Sequence, residues 1–120
     1  MNVLFAIVAG ILFACGTYLL MRRSIMRLVM GLVLIGHSAN IAIFTATGLK
    51  RTGPAIVPTG VENLPATAAD PLPQALVLTA IVISFGVIAF AVVLVSRVWA
   101  TAGTDDSNRF REDDDPETAP

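Results

Sequence analysis

Residues 1–21, 28–49 and 71–96 contain no Asp, Glu, Lys or Arg, and that pattern of gaps constrains the fold more than any other feature of the sequence. A helix rises ~1.5 Å per residue, so about 20 apolar residues cross a hydrocarbon core roughly 30 Å thick. Each stretch is long enough to do so once. The charges fall elsewhere, at Arg22, Arg23 and Arg27, in the segment 50–70, and from Arg97 onward. With 55% hydrophobic and 14% charged residues in 120, the chain has too little polar surface for a water-facing domain of this size. The sequence therefore reads as an all-α membrane protein with three transmembrane helices, over about 2–22, 25–49 and 72–98. Residues 1–100 form the membrane domain, 50–71 a loop, and 101–120 an acidic tail. A secretory signal carries its positive charges before the apolar run, whereas Arg22 and Arg23 follow it, so the first helix is retained.

The link between the first two helices, Arg22-Arg23-Ser24-Ile25-Met26-Arg27, is short enough to force an antiparallel hairpin, with Ser24 placed to cap the second helix. Three arginines in such a link favour the cytoplasmic side. The N-terminus and the loop 50–71 are then outside and the C-terminus is cytoplasmic. Gly53, Pro54, Pro58, Gly60, Pro65 and Pro71 exclude a long helix from the loop. The tail, with Asp105, Asp106, Glu112, Asp113, Asp114, Asp115 and Glu117, has the composition of a solvated, disordered segment. A net charge of -1 with no basic patch gives nucleic acid nothing to bind. Cys15 is the only cysteine and reads as a small apolar packing residue; a disulfide within the chain is impossible.

Lipid offers no hydrophobic drive for helix association, so small residues that admit a close neighbour are informative. The first helix carries Ala6, Gly10 and Ala14 at intervals of four, and the third carries Ala75, Thr79, Val82, Gly86, Ala89 and Val93 at alternating intervals of four and three. Each seam predicts a packed neighbour. Asp70-Pro71-Leu72-Pro73-Gln74 is a sharp helix start: Asp70 caps free amides and the prolines sit where no donor is needed. Gln74 then lies near the outer interface. The second helix is the polar one. At about 100° per residue His37, Asn40 and Phe44 share a face, flanked by Ser38 and Thr45 on one side and Thr47 on the other. His37 lies near mid-span and is the one side chain there of a type that changes charge near neutral pH. Two roles are open to it: bordering a proton or hydrated path, or cross-linking helices through neutral hydrogen bonds with Asn40.

The run YLLMRRSIMRLVMGLVLIGHSANIAIF (18–44), followed by DPLPQALVLTAIVI (70–83), resembles the C subunit of Mrp-type multisubunit Na⁺/H⁺ antiporters, also called MrpC or MnhC. The likeness covers all three expected helices; the loop 51–69 and the tail add no motif. It implies a bacterial or archaeal cell-membrane complex exchanging Na⁺ for H⁺, in which this chain is one small subunit among several. That family is similar in turn to the three-helix K subunit of respiratory complex I, which typically has glutamates within its second and third helices. Here the corresponding regions read GLVLIG and LTAIVISF, so a carboxylate relay does not transfer.

Sodium requires several oxygen ligands, and exchange against protons is most simply done by a carboxylate that takes either one. No span offers one. Ser38, Asn40, Thr45 and Thr79 present only neutral oxygens, which leave a dehydrated cation uncompensated. The chain is therefore expected to seal, space or couple neighbouring membrane subunits, surrounded by lipid, with Na⁺ and H⁺ as ions of the complex. An independent small multidrug-type transporter would resemble four-helix chains with an intramembrane glutamate, and both features are missing. A holin-like pore or scaffold shares the size and acidic tail but gives no reason for DPLPQALVLTAIVI. No nucleophile-base pair, metal-ligand cluster or phosphate-binding glycine loop suggests an enzyme, and no cofactor is implied.

Overall fold

The computed structural model describes residues 1–48 and 52–113, with the backbone course alone for 111–113. Four helices follow in order: α1 (Asn2–Leu20), α2 (Ile25–Ala46), α3 (Pro71–Ala102) and the short α4 (Ser107–Asp113). The first three are long and apolar enough to cross a membrane. Among the described residues there is no strand, only two isolated bridges.

Local chemistry sets the helix ends. Ser24 caps α2 as its position in the link predicts: its hydroxyl accepts from the Arg27 amide at 3.5 Å. At the opposite end Gly48, at φ 79°, supplies the left-handed backbone that turns the chain away. The second helix thus stops at Ala46, short of the expected 49, and Leu49 lies outside the described residues. The third begins where the sequence places it, with Asp70 Oδ1 accepting from the Leu72 amide at 3.0 Å and both prolines in the first turn. It runs past the expected 98, because nothing breaks it before Gly103, whose φ of 64° closes the last turn through a bond from its amide to the Trp99 carbonyl. At 32 residues α3 is about 48 Å long, more than a bilayer core needs, so its last turns project beyond the apolar layer.

The three long helices lie in a row, with α2 in the middle, packed closely on α1 and less extensively on α3. The molecule measures 76 × 30 × 18 Å. The tightest crossing is between Gly16 of α1 and Gly31 of α2. A Cβ on Gly31 would stand 2.7 Å from the Gly16 carbonyl oxygen, and one on Gly16 would stand 2.6 Å from Ile35 Cγ1 and 2.9 Å from the Gly31 oxygen. Beside this contact Ser38, 4% exposed, donates to the Ala9 carbonyl at 2.7 Å. The buried set is small: Ala9 and Gly16 on α1, Val29, Gly31 and Ser38 on α2, Pro73 and Val77 on α3. Among the described residues no large side chain is fully buried. A helix row with so little interior relies on lipid or other protein to cover its faces.

The loop is closed at its base by two backbone bonds, Gly53 amide to Thr67 carbonyl at 3.1 Å and Ala69 amide to Gly53 carbonyl at 3.0 Å. Lys50 and Arg51 lie outside the described residues.

Over 101–113 the expected disorder of the tail does not hold. After Gly103 the chain turns beneath the α1–α2 link: the Ile25 amide donates to the Asp105 carbonyl at 3.0 Å, the Ser107 amide donates to the Arg23 carbonyl at 3.1 Å, and the Ser24 hydroxyl donates to the Asp105 carboxylate. Composition reports only that such a segment has no core of its own. It does not report that a long α3 delivers it to an unsatisfied helix N-terminus with amides to fill. Residues 114–120 lie outside the described residues.

Candidate functional site

His37 and Asn40 lie along a groove of about 380 Å³ between α2 and α3. Its walls include residues from the two segments GLVLIG and LTAIVISF, which approach each other where Gly36 faces Ser84; a Cβ on Gly36 would be 3.9 Å from the Ser84 hydroxyl oxygen. His37 is exposed within the single chain and Asn40 half-buried. Neither makes a side-chain hydrogen bond to another described residue.

Apart from Ser84, which makes no side-chain hydrogen bond to a described residue, the hydroxyls deep in the spans donate to backbone carbonyls. Thr17 donates to the Phe13 carbonyl at 2.9 Å, Thr45 to Ile41 at 2.7 Å, Thr79 to Ala75 at 3.0 Å and Ser96 to Val93 at 2.8 Å. These bonds to the preceding turn let a hydroxyl sit in an apolar medium without a partner from elsewhere. Ser38 faces α1 instead of the groove, and its bond to Ala9 makes it the interhelical tie. Thr45 edges a shallow groove between α1 and α2, together with Ala6, Gly10 and Ser38. The four residues grouped from sequence therefore divide only in part: His37 faces the α3 side and Ser38 the α1 side, while Asn40 and Thr45 also share a pocket with Phe5 of α1 and Val77 of α3.

The small-residue seams also take definite places. Nothing comes within 4 Å of a Cβ on Gly10, and Ala6 and Ala14 are exposed. Within the chain, α1 meets α2 through Ala9 and Gly16. On α3, Ala75, Thr79, Val82, Gly86, Ala89 and Val93 are all exposed, on the side opposite Val77, Ser84 and Ile88, which face α2. At the loop end Gln74 joins Phe44, Thr47, Asp70 and Pro73 around a pocket of about 330 Å³. At the other end Arg22, Arg23 and Arg27 share a polar pocket with Asp105 and Asp106, and the Arg22 guanidinium lies 4.4 Å over the Tyr18 ring. Among the described residues no group of His, Cys, Asp and Glu is placed to hold a metal.

Sequence reading passed over Gly16, Gly31 and Ser84. The first two were visible in a spacing of seven: Ala9 and Gly16 on α1, and Gly31, Ser38 and Thr45 on α2, repeat at the interval that keeps one face towards a partner. Ser84 had no signal of its own, being one serine in an apolar run.

These features define a class: a three-helix chain laid out as a row, with an uncharged groove between its second and third helices. The comparisons make it specific. The family model described as NADH-ubiquinone/plastoquinone oxidoreductase chain 4L matches residues 4–114. In Alkalihalophilus pseudofirmus, the C subunit of a Na(+)/H(+) antiporter is 46% identical over 112 residues, 92% of this chain and 96% of that one. The protein of the same name in Bacillus subtilis is 39% identical over 117 residues, 98% of this chain and 100% of that one. Among solved structures, a chain of the Mrp complex from a Dietzia species superposes with a TM-score of 0.64 at 35% identity, covering 86% of this chain and 74% of that chain. A chain of the membrane-bound sulfane sulfur reductase, an archaeal respiratory membrane complex, gives 0.72 at 27% identity, covering 85% and 92%. The chain belongs to the chain 4L family, and within it to the group of Na⁺/H⁺ antiporter C subunits; it is a multi-pass bacterial membrane protein.

Proposed function

We propose that the chain is the small three-helix subunit of a multisubunit antiporter that exchanges Na⁺ for H⁺, and that it acts in assembly, sealing or coupling while partner subunits carry the transport chemistry. The observation that carries this reading is the joint absence of any Asp or Glu from the three spans and of any deep interior among them. A cation crossing here would need oxygen ligands and a compensating charge. The hydroxyls of Ser38, Thr45 and Thr79 donate to backbone carbonyls, and none of these neutral oxygens brings the compensating charge. Exchange of a proton for a metal ion has no site in this chain alone.

In this reading the arginine end faces the cytoplasm and the loop faces outward, the small-residue seams of α1 and α3 receive helices of neighbouring subunits or lipid, and His37 and Asn40 border a hydrated region of the complex. Na⁺ and H⁺ belong to the complex as a whole. The test is exchange in vesicles. The complex purified with this chain takes up protons against a Na⁺ gradient, the chain reconstituted alone does not, and His37→Gln in the assembled complex lowers exchange with assembly intact. Exchange by the chain alone overturns the subunit reading; unchanged exchange in the assembled His37→Gln complex removes His37 from the path.

A further inference from the structure

Three polar side chains in the middle parts of α2 and α3, His37, Asn40 and Ser84, have no hydrogen-bond partner among the described residues, and all three line the same groove between the two helices. Every other hydroxyl deep in the spans is bonded to a backbone carbonyl. Polar groups left without partners in hydrocarbon are costly, and an ionisable one at this depth faces protein or water. The groove also admits a close neighbour, since its floor is Gly36 beside Ser84 and a full Cβ on that glycine would meet nothing nearer than 3.9 Å.

Charge decides what the neighbour brings. Facing His37 across the groove, α3 offers Ile81, Ser84, Phe85 and Ile88, none of them ionisable, and α1 lies on the other side of α2 at Ser38. No span of this chain contains a carboxylate that could accept from the imidazole N–H. Resting on the subunit reading above, we propose that the α2–α3 groove receives a transmembrane helix of a partner subunit that presents a carboxylate to His37. The partner helix supplies an acceptor to the imidazole N–H and brings to this place the acid that the chain itself lacks, while Asn40 and Ser84 bond to the same helix on either side.

The experiment uses the intact complex in mild detergent, with a photo-crosslinking amino acid at residue 37 or 84 in turn and the adduct mapped by mass spectrometry. The expected result is a crosslink from both positions to one membrane-spanning segment that contains an Asp or Glu. Adducts to lipid, no adduct, or adducts to a segment without an acid overturn the proposal. Where the bulky probe blocks assembly, the readout is the charge series. His37→Lys retains the assembled complex, and His37→Glu lowers its recovery by roughly tenfold or more, the scale expected when like charges meet in an interface. Equal behaviour of the two overturns the proposal. A complex that co-purifies intact while these results fail rejects only the carboxylate contact; a chain that co-purifies with no larger membrane subunit rejects the subunit reading itself.

Discussion

Gly31 shows how little room separates the first two helices, because a single methyl there would meet the Gly16 carbonyl oxygen, which belongs to a helix backbone and cannot swing aside. We expect Gly31→Ala to destabilise the α1–α2 hairpin by about 1–3 kcal/mol, the range for overpacking a tight contact, and Gly10→Ala, with open space around it, to change stability by less than about 0.5 kcal/mol. Resistance of the assembled protein to graded detergent denaturation measures both; equal behaviour of the pair would mean that Gly16 and Gly31 are not in contact. Ser38 is the polar counterpart of this contact. Removing its hydroxyl by Ser38→Ala leaves the Ala9 carbonyl only its own helix partner, and a loss of about 0.6–1.7 kcal/mol is expected by the same assay. His37→Ala, by contrast, should leave the isolated hairpin unchanged, since His37 bonds to no described residue of its own chain.

Whole elements were legible in the sequence to the degree that their determinants are local. Ser24 and Asp70 cap the helices that their positions announced, and Pro71 and Pro73 lie in the first turn of α3. The helix faces were less legible. Ala6, Gly10 and Ala14 form as regular a pattern as Ala9 and Gly16, and only the geometry of the hairpin decides which of two small-residue faces meets α2. Likewise His37 and Ser38 are adjacent in sequence and point to different neighbours, so membership of one polar helix could not separate a groove residue from an interhelical tie. The strap after Gly103 was illegible because its acidic composition matches that of a solvated tail, while its docking depends on how far α3 extends. Asp105→Ala removes the carboxylate that accepts from Ser24 and should weaken the strap by roughly 1 kcal/mol, seen as faster hydrogen exchange at the Ile25 and Ser107 amides. Unchanged exchange at both amides would mean that the strap is not held there.

At the scale of the whole molecule, a row of three helices 18 Å thick in its shortest dimension exposes both sides of every helix except where α2 touches its neighbours. Lipid can cover the plain apolar faces. The groove holding His37, Asn40 and Ser84 is different, since lipid satisfies none of them. The exposed seam of α3 faces away from that groove, so the third helix has two distinct sides open to occupation, one polar at its centre and one lined by small residues. This layout, with no acid in any span, makes the chain a component whose faces are completed by other membrane subunits. The most direct test is to purify the tagged chain from its native membrane in mild detergent and identify every protein that travels with it. The expected result is a stable assembly with much larger membrane subunits that carry carboxylates within their spans; recovery of the chain as a homo-oligomer that catalyses exchange by itself would contradict the subunit role.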